Sequence, residues 1–173
     1  MALASDLGRG PLSLVVFRIV REGLDPLGTT GSFKAGGRYN PPNEFGALYT
    51  SFAAATAAEE VAKGLRLRGV DPGKFLEGDY WIYELELNLE NVLDLTDAGV
   101  LERSKISYAS LVGSEINRTR DIATQARELG YQALVVPSAA APGDKNLVVF
   151  LDKLNKAPIV LQSRPAGIGS KPG

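Results

Sequence analysis

Arg38, Tyr49 and Glu60 stand at equal gaps of eleven residues inside GGRYNPPNEFGALYTSFAAATAAEEV, the stretch from Gly36 to Val61. A guanidinium grips phosphate oxygens through charge-assisted, often bidentate hydrogen bonds. A phenol ring offers a flat face to an aromatic group, and a fixed carboxylate stabilises positive charge as a bond breaks. Brought together, the three suit a dinucleotide with a pyrophosphate, a flat aromatic leaving group and a bond that breaks toward a cation.

Composition narrows the rest of the chemistry. The chain of 173 residues has no Cys and no His, so thiolate metal ligands, disulfides, a Cys nucleophile and imidazole-based triads are excluded. A structural zinc site loses its usual ligands for the same reason. Lys and Arg total 19 against 20 Asp and Glu, so no overall basic field draws the chain to nucleic acid or anionic lipid. Hydrophobic residues make up 45% and charged residues 23%, the balance of a soluble globular domain and not of a disordered chain. No apolar run reaches membrane-spanning length, and MALASDLGRG lacks the features of a signal peptide. A single domain in the cytoplasm is the expectation, with a core over about residues 12 to 162 and a flexible tail over 163 to 173.

The elements that must position the three side chains follow from pattern. Leu12 to Val20 reads as a buried strand interrupted by Arg18, a charge that either snorkels to water at the strand end or meets a partner or anion. Arg21 to Asn43 is rich in Gly, Pro, Ser and Thr and reads as a long ordered loop. Within it, Gly36 and Gly37 allow backbone angles and close approaches denied to other residues. Gly46 to Phe52 reads as a short strand carrying Tyr49. Ala53 to Arg68 reads as a helix stopped at Gly69, with Ala54, Ala58, Val61 and Leu65 as its core stripe. On that wheel Glu59 points away and can pair with Lys63, whereas Glu60 lies at the stripe's edge beside Ala53, Ala57 and Gly64, where small side chains leave room for a ligand.

Further on, Val70 to Asp79 is a turn-rich connection, and Tyr80 to Leu89 alternates as a half-exposed antiparallel strand whose Trp81 and Tyr83 face the core. Val92 to Leu95 extends it or begins another strand, and Thr96 is positioned to cap a short helix over Asp97 to Ser104. Thr119 to Leu129 is a helix with Gly130 as its stop. Strands are expected at Tyr131 to Pro137, Asn146 to Leu151 and Ala157 to Gln162, with Lys145 a loop charge and the chain frayed from Ser163. Several strands follow one another without intervening helices, so the class is α+β.

These pieces together resemble the RES domain, the toxin half of RES–Xre toxin–antitoxin pairs. The resemblance rests on Phe17-Arg18-Ile19-Val20, Gly37-Arg38-Tyr39-Asn40, Leu48-Tyr49-Thr50 with Glu60 eleven residues on, Val136-Pro137-Ser138-Ala139, and Asn146. It implies a mixed, split β core similar to ADP-ribosyltransferases, flanked by helices. It implies also that NAD is consumed as a substrate, with no cofactor and no metal, the acceptor being water, phosphate or a protein side chain. By motif, Arg18 and Arg38 would contact the dinucleotide phosphates, Tyr49 would pack on nicotinamide, and Glu60 would be the catalytic acidic residue. Ser138 would be a polar contact in the cleft, and Asn146 would belong to the last motif. Two places depart from the family pattern: Tyr39 stands where Trp is frequent, and Val148 and Val149 follow Asn146 where an Asn-Pro and a nearby His are common. The resemblance implies an Xre-type antitoxin as partner and allows a homo-oligomer or a toxin–antitoxin hetero-oligomer. Neither direct nucleic-acid contact nor a membrane role is expected. A nucleotide-binding or interaction module that keeps the cleft without turnover is the alternative.

Overall fold

The computed structural model describes residues 2–75 and 79–167. A seven-stranded sheet in the order β4-β5-β6-β2-β1-β3-β7 forms the frame of this mixed α+β domain. The central hairpin-like pair is β1 (Leu12–Arg21) against β3 (Tyr80–Leu89), antiparallel and in register from Leu12 opposite Leu89 to Arg21 opposite Tyr80. Alternation in β3 buries Leu85, Leu87 and Leu89 against Val16 and Leu48 while Asn88 stays exposed, as its period of two requires. The opposite half holds β2 (Leu48–Ser51), β4 (Val92–Asp94), β5 (Ala133–Pro137) and β6 (Lys145–Val149). There β4 and β5 run parallel, and β5, β6 and β2 pair antiparallel in turn. The halves meet at one registered pair, Phe17 opposite Ser51, so the sheet opens beyond that point and a cleft forms at the split.

Helices cover the two halves separately. On one side, Ile122, Ala123 and Ala126 of α6 (Asn117–Glu128) close against Leu134, Val136, Val148 and Phe150. On the other side, α2 (Ala54–Leu67) lies across the split, with Ala57, Ala58 and Val61 packed around Ile19. Its C-terminal stop is Gly69 at φ +73°, a left-handed position that suits glycine. Among the described residues no helix is long and apolar enough to cross a membrane.

Several local expectations need correcting. The stretch from Arg21 to Asn43 contains a helix, α1 (Thr30–Ala35), whose Thr-Gly-Ser-Phe-Lys-Ala sequence carries no amphipathic stripe to announce it. A short helix, α3 (Pro72–Phe75), sits in the turn-rich connection, of which residues 76–78 lie outside the described part. In α4 (Ala98–Ser104) the N-cap is Asp97, accepting from the Val100 amide at 3.0 Å, while Thr96 turns back onto Asp94. Beyond it lies the unexpected α5 (Tyr108–Val112), capped by Ser107. Lys145 opens β6 and does not sit in the preceding loop. The last strand, β7 (Ile159–Pro165), pairs with β3 along the sheet edge. Ser163, Arg164 and Pro165 are therefore ordered strand and Ala166 is buried, whereas the remainder of the expected tail, 168–173, lies outside the described residues.

Candidate active site

The core stripe expected on α2 does face β1, with Leu65 buried and Ala58 and Val61 half-buried against Ile19. Thr56 and Ala57 are also buried, so the covered arc of the helix is wider than the sequence pattern indicated and takes in Glu60. Glu59 stays exposed, and Lys63 reaches the Ala139 carbonyl at 3.2 Å.

The Glu60 carboxylate is held from behind. Its Oε1 accepts from Ser138 Oγ at 2.7 Å and from Asn146 Nδ2 at 2.6 Å. Asn146 is oriented in turn by Ser51, whose hydroxyl donates to Asn146 Oδ1 at 2.7 Å across the β2–β6 register. Ser138, only 2% exposed, accepts from the Ala140 and Ala141 amides, so its hydroxyl proton is directed at Glu60. These contacts fix one oxygen and the plane of the carboxylate. Oε2 has no assigned donor among the described residues, and Glu60 lines the cleft, so one oxygen is left to act there.

That cleft consists of two adjoining hollows of about 400 and 490 Å³, each of a size that takes a small-molecule ligand. Tyr49, Glu60, Arg68 and Asn146 line both, so the hollows are arms of one site. Arg18 lines the first arm and Arg38 the second. Arg18 does not snorkel to water: Nη1 and Nη2 donate to the carbonyls of Pro26 and Gly28 at 2.7 and 3.0 Å. Burial pulls its pKa down to about 10 and Asp25 opposes the shift, leaving the guanidinium charged at neutral pH. Arg38 commits Nη1 to the carbonyls of Gly113 at 2.6 Å and Leu111 at 3.3 Å, tying the loop to the end of α5.

Tyr49 has a more structural position than its expected contact with nicotinamide required. Its hydroxyl donates to Asn40 Oδ1 at 2.7 Å and accepts from the Tyr39 amide at 2.9 Å, locking the Arg38 loop onto β2 while the ring faces the cleft. Gly37 is needed for this approach, because a Cβ there would stand 2.3 Å from Tyr49 Oη. Gly36 takes φ +69° one residue earlier. From the far side, Thr119 Oγ1 and Arg120 Nε of α6 donate to the carbonyls of Arg38 and Gly37.

The structure thus gathers Arg18, Arg38, Tyr49, Glu60 and Asn146 around one cleft, and places Ser138 beneath the carboxylate instead of on the cleft wall. Arg68, Ser51 and Asn40 were not singled out from sequence. Arg68 was within reach of that reading: it lies eight residues after Glu60 on the same helical face as Gly64.

Burial raises the pKa of both Tyr49 and Tyr39 above the ordinary phenol value. The folded protein keeps protons that the unfolded chain releases, so stability falls as pH rises past about 10. Denaturant midpoints measured at pH of about 8 and about 10.5 should differ less in Tyr49→Phe than in the wild type. An equal drop in both proteins would refute the assignment.

The model of the RES domain family matches residues 15–167. The chain is 29% identical over 140 residues to the NAD(+) phosphorylase MbcT of Mycobacterium bovis, covering 81% of this chain and 74% of that one, and the Mycobacterium tuberculosis MbcT matches to the same extent. Among solved structures, a chain of the M. tuberculosis MbcT–MbcA toxin–antitoxin complex superposes with a TM-score of 0.81 at 25% identity, covering 91% of this chain and 86% of that one.

Proposed function

This chain belongs to the RES domain family, and from that premise we propose that it cleaves the nicotinamide–ribose bond of NAD, with inorganic phosphate as acceptor, as the toxin of a toxin–antitoxin pair. The observation that carries the reading is the clamped Glu60 carboxylate, with one oxygen held by Ser138 and Asn146 and the other available to a cleft lined by arginines. Breaking this bond builds positive charge on the ribose, as in glycoside hydrolysis. A carboxylate fixed before the reaction stabilises that charge more in the transition state than in the ground state. Arg18 and Arg38, one in each arm, supply guanidinium donors for the pyrophosphate. Tyr49 lines both arms, and nicotinamide stacks against its ring.

Phosphate as acceptor is supported by the activity named for the mycobacterial relatives. It also suits the chemistry. An oxygen of HPO₄²⁻ forms the new bond to the anomeric carbon, the C–N pair of electrons leaves with nicotinamide, and no proton has to be removed. The products are nicotinamide and ADP-ribose 1″-phosphate.

Purified protein incubated with NAD should release nicotinamide at a rate that rises with phosphate, and mass analysis should show the phosphorylated sugar. Unphosphorylated ADP-ribose at every phosphate concentration would replace the proposal with a glycohydrolase. Label from NAD appearing on proteins of a cell extract would replace it with an ADP-ribosyltransferase. The solved toxin–antitoxin neighbour supports a protein partner that silences the enzyme. We expect that partner to be an Xre-type helix-turn-helix protein encoded beside this one, and co-expression with it should restore growth.

A further inference from the structure

Arg68 is the one basic residue, among those described, that lines both arms of the cleft. It follows Glu60 by eight residues, about 12 Å along a helix axis. Its side chain folds back by one turn: Nε donates to the Gly64 carbonyl at 3.3 Å, and Nη2 lies 3.8 Å from where a Cβ on Gly64 would stand. The guanidinium therefore rests over the bare backbone of Gly64, one turn from Glu60. Glycine is a poor helix former, and here Gly64 itself lines the first arm of the cleft.

Donor accounting separates Arg68 from the other two arginines. Arg18 has committed both Nη groups to loop carbonyls, and Arg38 has committed Nη1. Among the described residues, Arg68 has no acceptor assigned to either Nη, so its planar fork is intact. Such a fork matches two oxygens of a phosphate dianion, whereas it gives little to a neutral water molecule.

We propose that Arg68 is the binding residue for the acceptor phosphate and thereby sets the choice of phosphorolysis over hydrolysis. This rests on the reading of the site as an NAD phosphorylase. Arg68 holds HPO₄²⁻ at the junction of the arms, one phosphate oxygen bonds to the anomeric carbon as the bond to nicotinamide breaks, and the electron pair leaves on the pyridine nitrogen. The proton of HPO₄²⁻ stays on the product phosphate.

Initial rates with phosphate varied at saturating NAD test this in the wild type, Arg68→Ala and Arg68→Lys. Arg68→Ala should raise KM for phosphate about tenfold or more, leave KM for NAD within about twofold, and shift the products toward ADP-ribose. Arg68→Lys, which keeps the charge and loses the fork, should fall between. Calorimetric titration with inorganic phosphate alone should show weakened binding in Arg68→Ala with an unchanged melting temperature. A phosphate-dependent wild type with an unaltered KM for phosphate in Arg68→Ala overturns this assignment and leaves the phosphorylase reading standing. A rise confined to KM for NAD overturns it as well, assigning Arg68 to the dinucleotide. A wild type indifferent to phosphate overturns the phosphorylase reading, and this assignment with it.

Discussion

Glu60→Gln should slow NAD cleavage by about a thousandfold while leaving NAD binding and the fold in place. The substitution is close to isosteric, and the clamp dictates how it sits. Ser138 and Asn146 both donate to Oε1, so the carbonyl oxygen of the new amide takes that position and its NH₂ replaces Oε2 toward the cleft. A negative oxygen facing the developing ribose cation becomes a positive N–H edge. Both donors stay satisfied, so stability should change by less than about 1 kcal/mol. Glu60→Ala is a poorer test, since it leaves the buried Ser138 hydroxyl and the half-buried Asn146 amide without their shared acceptor, at about 1–3 kcal/mol for the buried one. Nicotinamide release, NAD calorimetry and a thermal melt together check the expectation, and arrest of growth on expression should disappear. Retention of more than about a tenth of the wild-type rate would remove Glu60 from the chemistry.

The largest effect on stability should come from Asn40→Ala. Asn40 is fully buried; its Nδ2 donates to the carbonyls of Ser32 at 2.8 Å and Phe45 at 2.9 Å, and its Oδ1 accepts from Tyr49. Alanine leaves the Phe45 carbonyl without its donor and the Tyr49 hydroxyl without its acceptor, in a site that water reaches poorly, while the Ser32 carbonyl keeps the Gly36 amide at 2.8 Å. At about 1–3 kcal/mol for each of the two, partly relieved by relaxation, the loss should be about 2–4 kcal/mol. For a domain of this size that lowers the melting temperature by about 10 °C. Activity should fall too, because the same side chain anchors Tyr49 and through it the loop that carries Arg38. A shift below about 2 °C would show that the network relaxes without cost.

Side chains whose role follows from their own position on an element were legible in the sequence. Glu60 could be chosen over Glu59 because a helical wheel separates them, and β3 could be drawn residue by residue because its alternation is clean. The class was legible for the same reason, strands following strands. What escaped depends on partners far away in the chain. Asn40 reads as one more loop polar residue, because its acceptors are backbone carbonyls that sequence does not display. Ser138 and Asn146 entered only through family resemblance, since nothing in Val-Pro-Ser-Ala or Lys-Asn-Leu indicates that both side chains end on one carboxylate oxygen. Arg68 escapes for another reason: at a helix end beside a glycine stop, its position marks the boundary of the element and not a cleft.

The distances along the chain within the Glu60 clamp have a temporal meaning. The carboxylate belongs to residue 60, but its two anchors lie 78 and 86 residues later. During synthesis the carboxylate is made well before the two side chains that fix it, and a copy cut short before Ser138 carries Glu60 with neither of them.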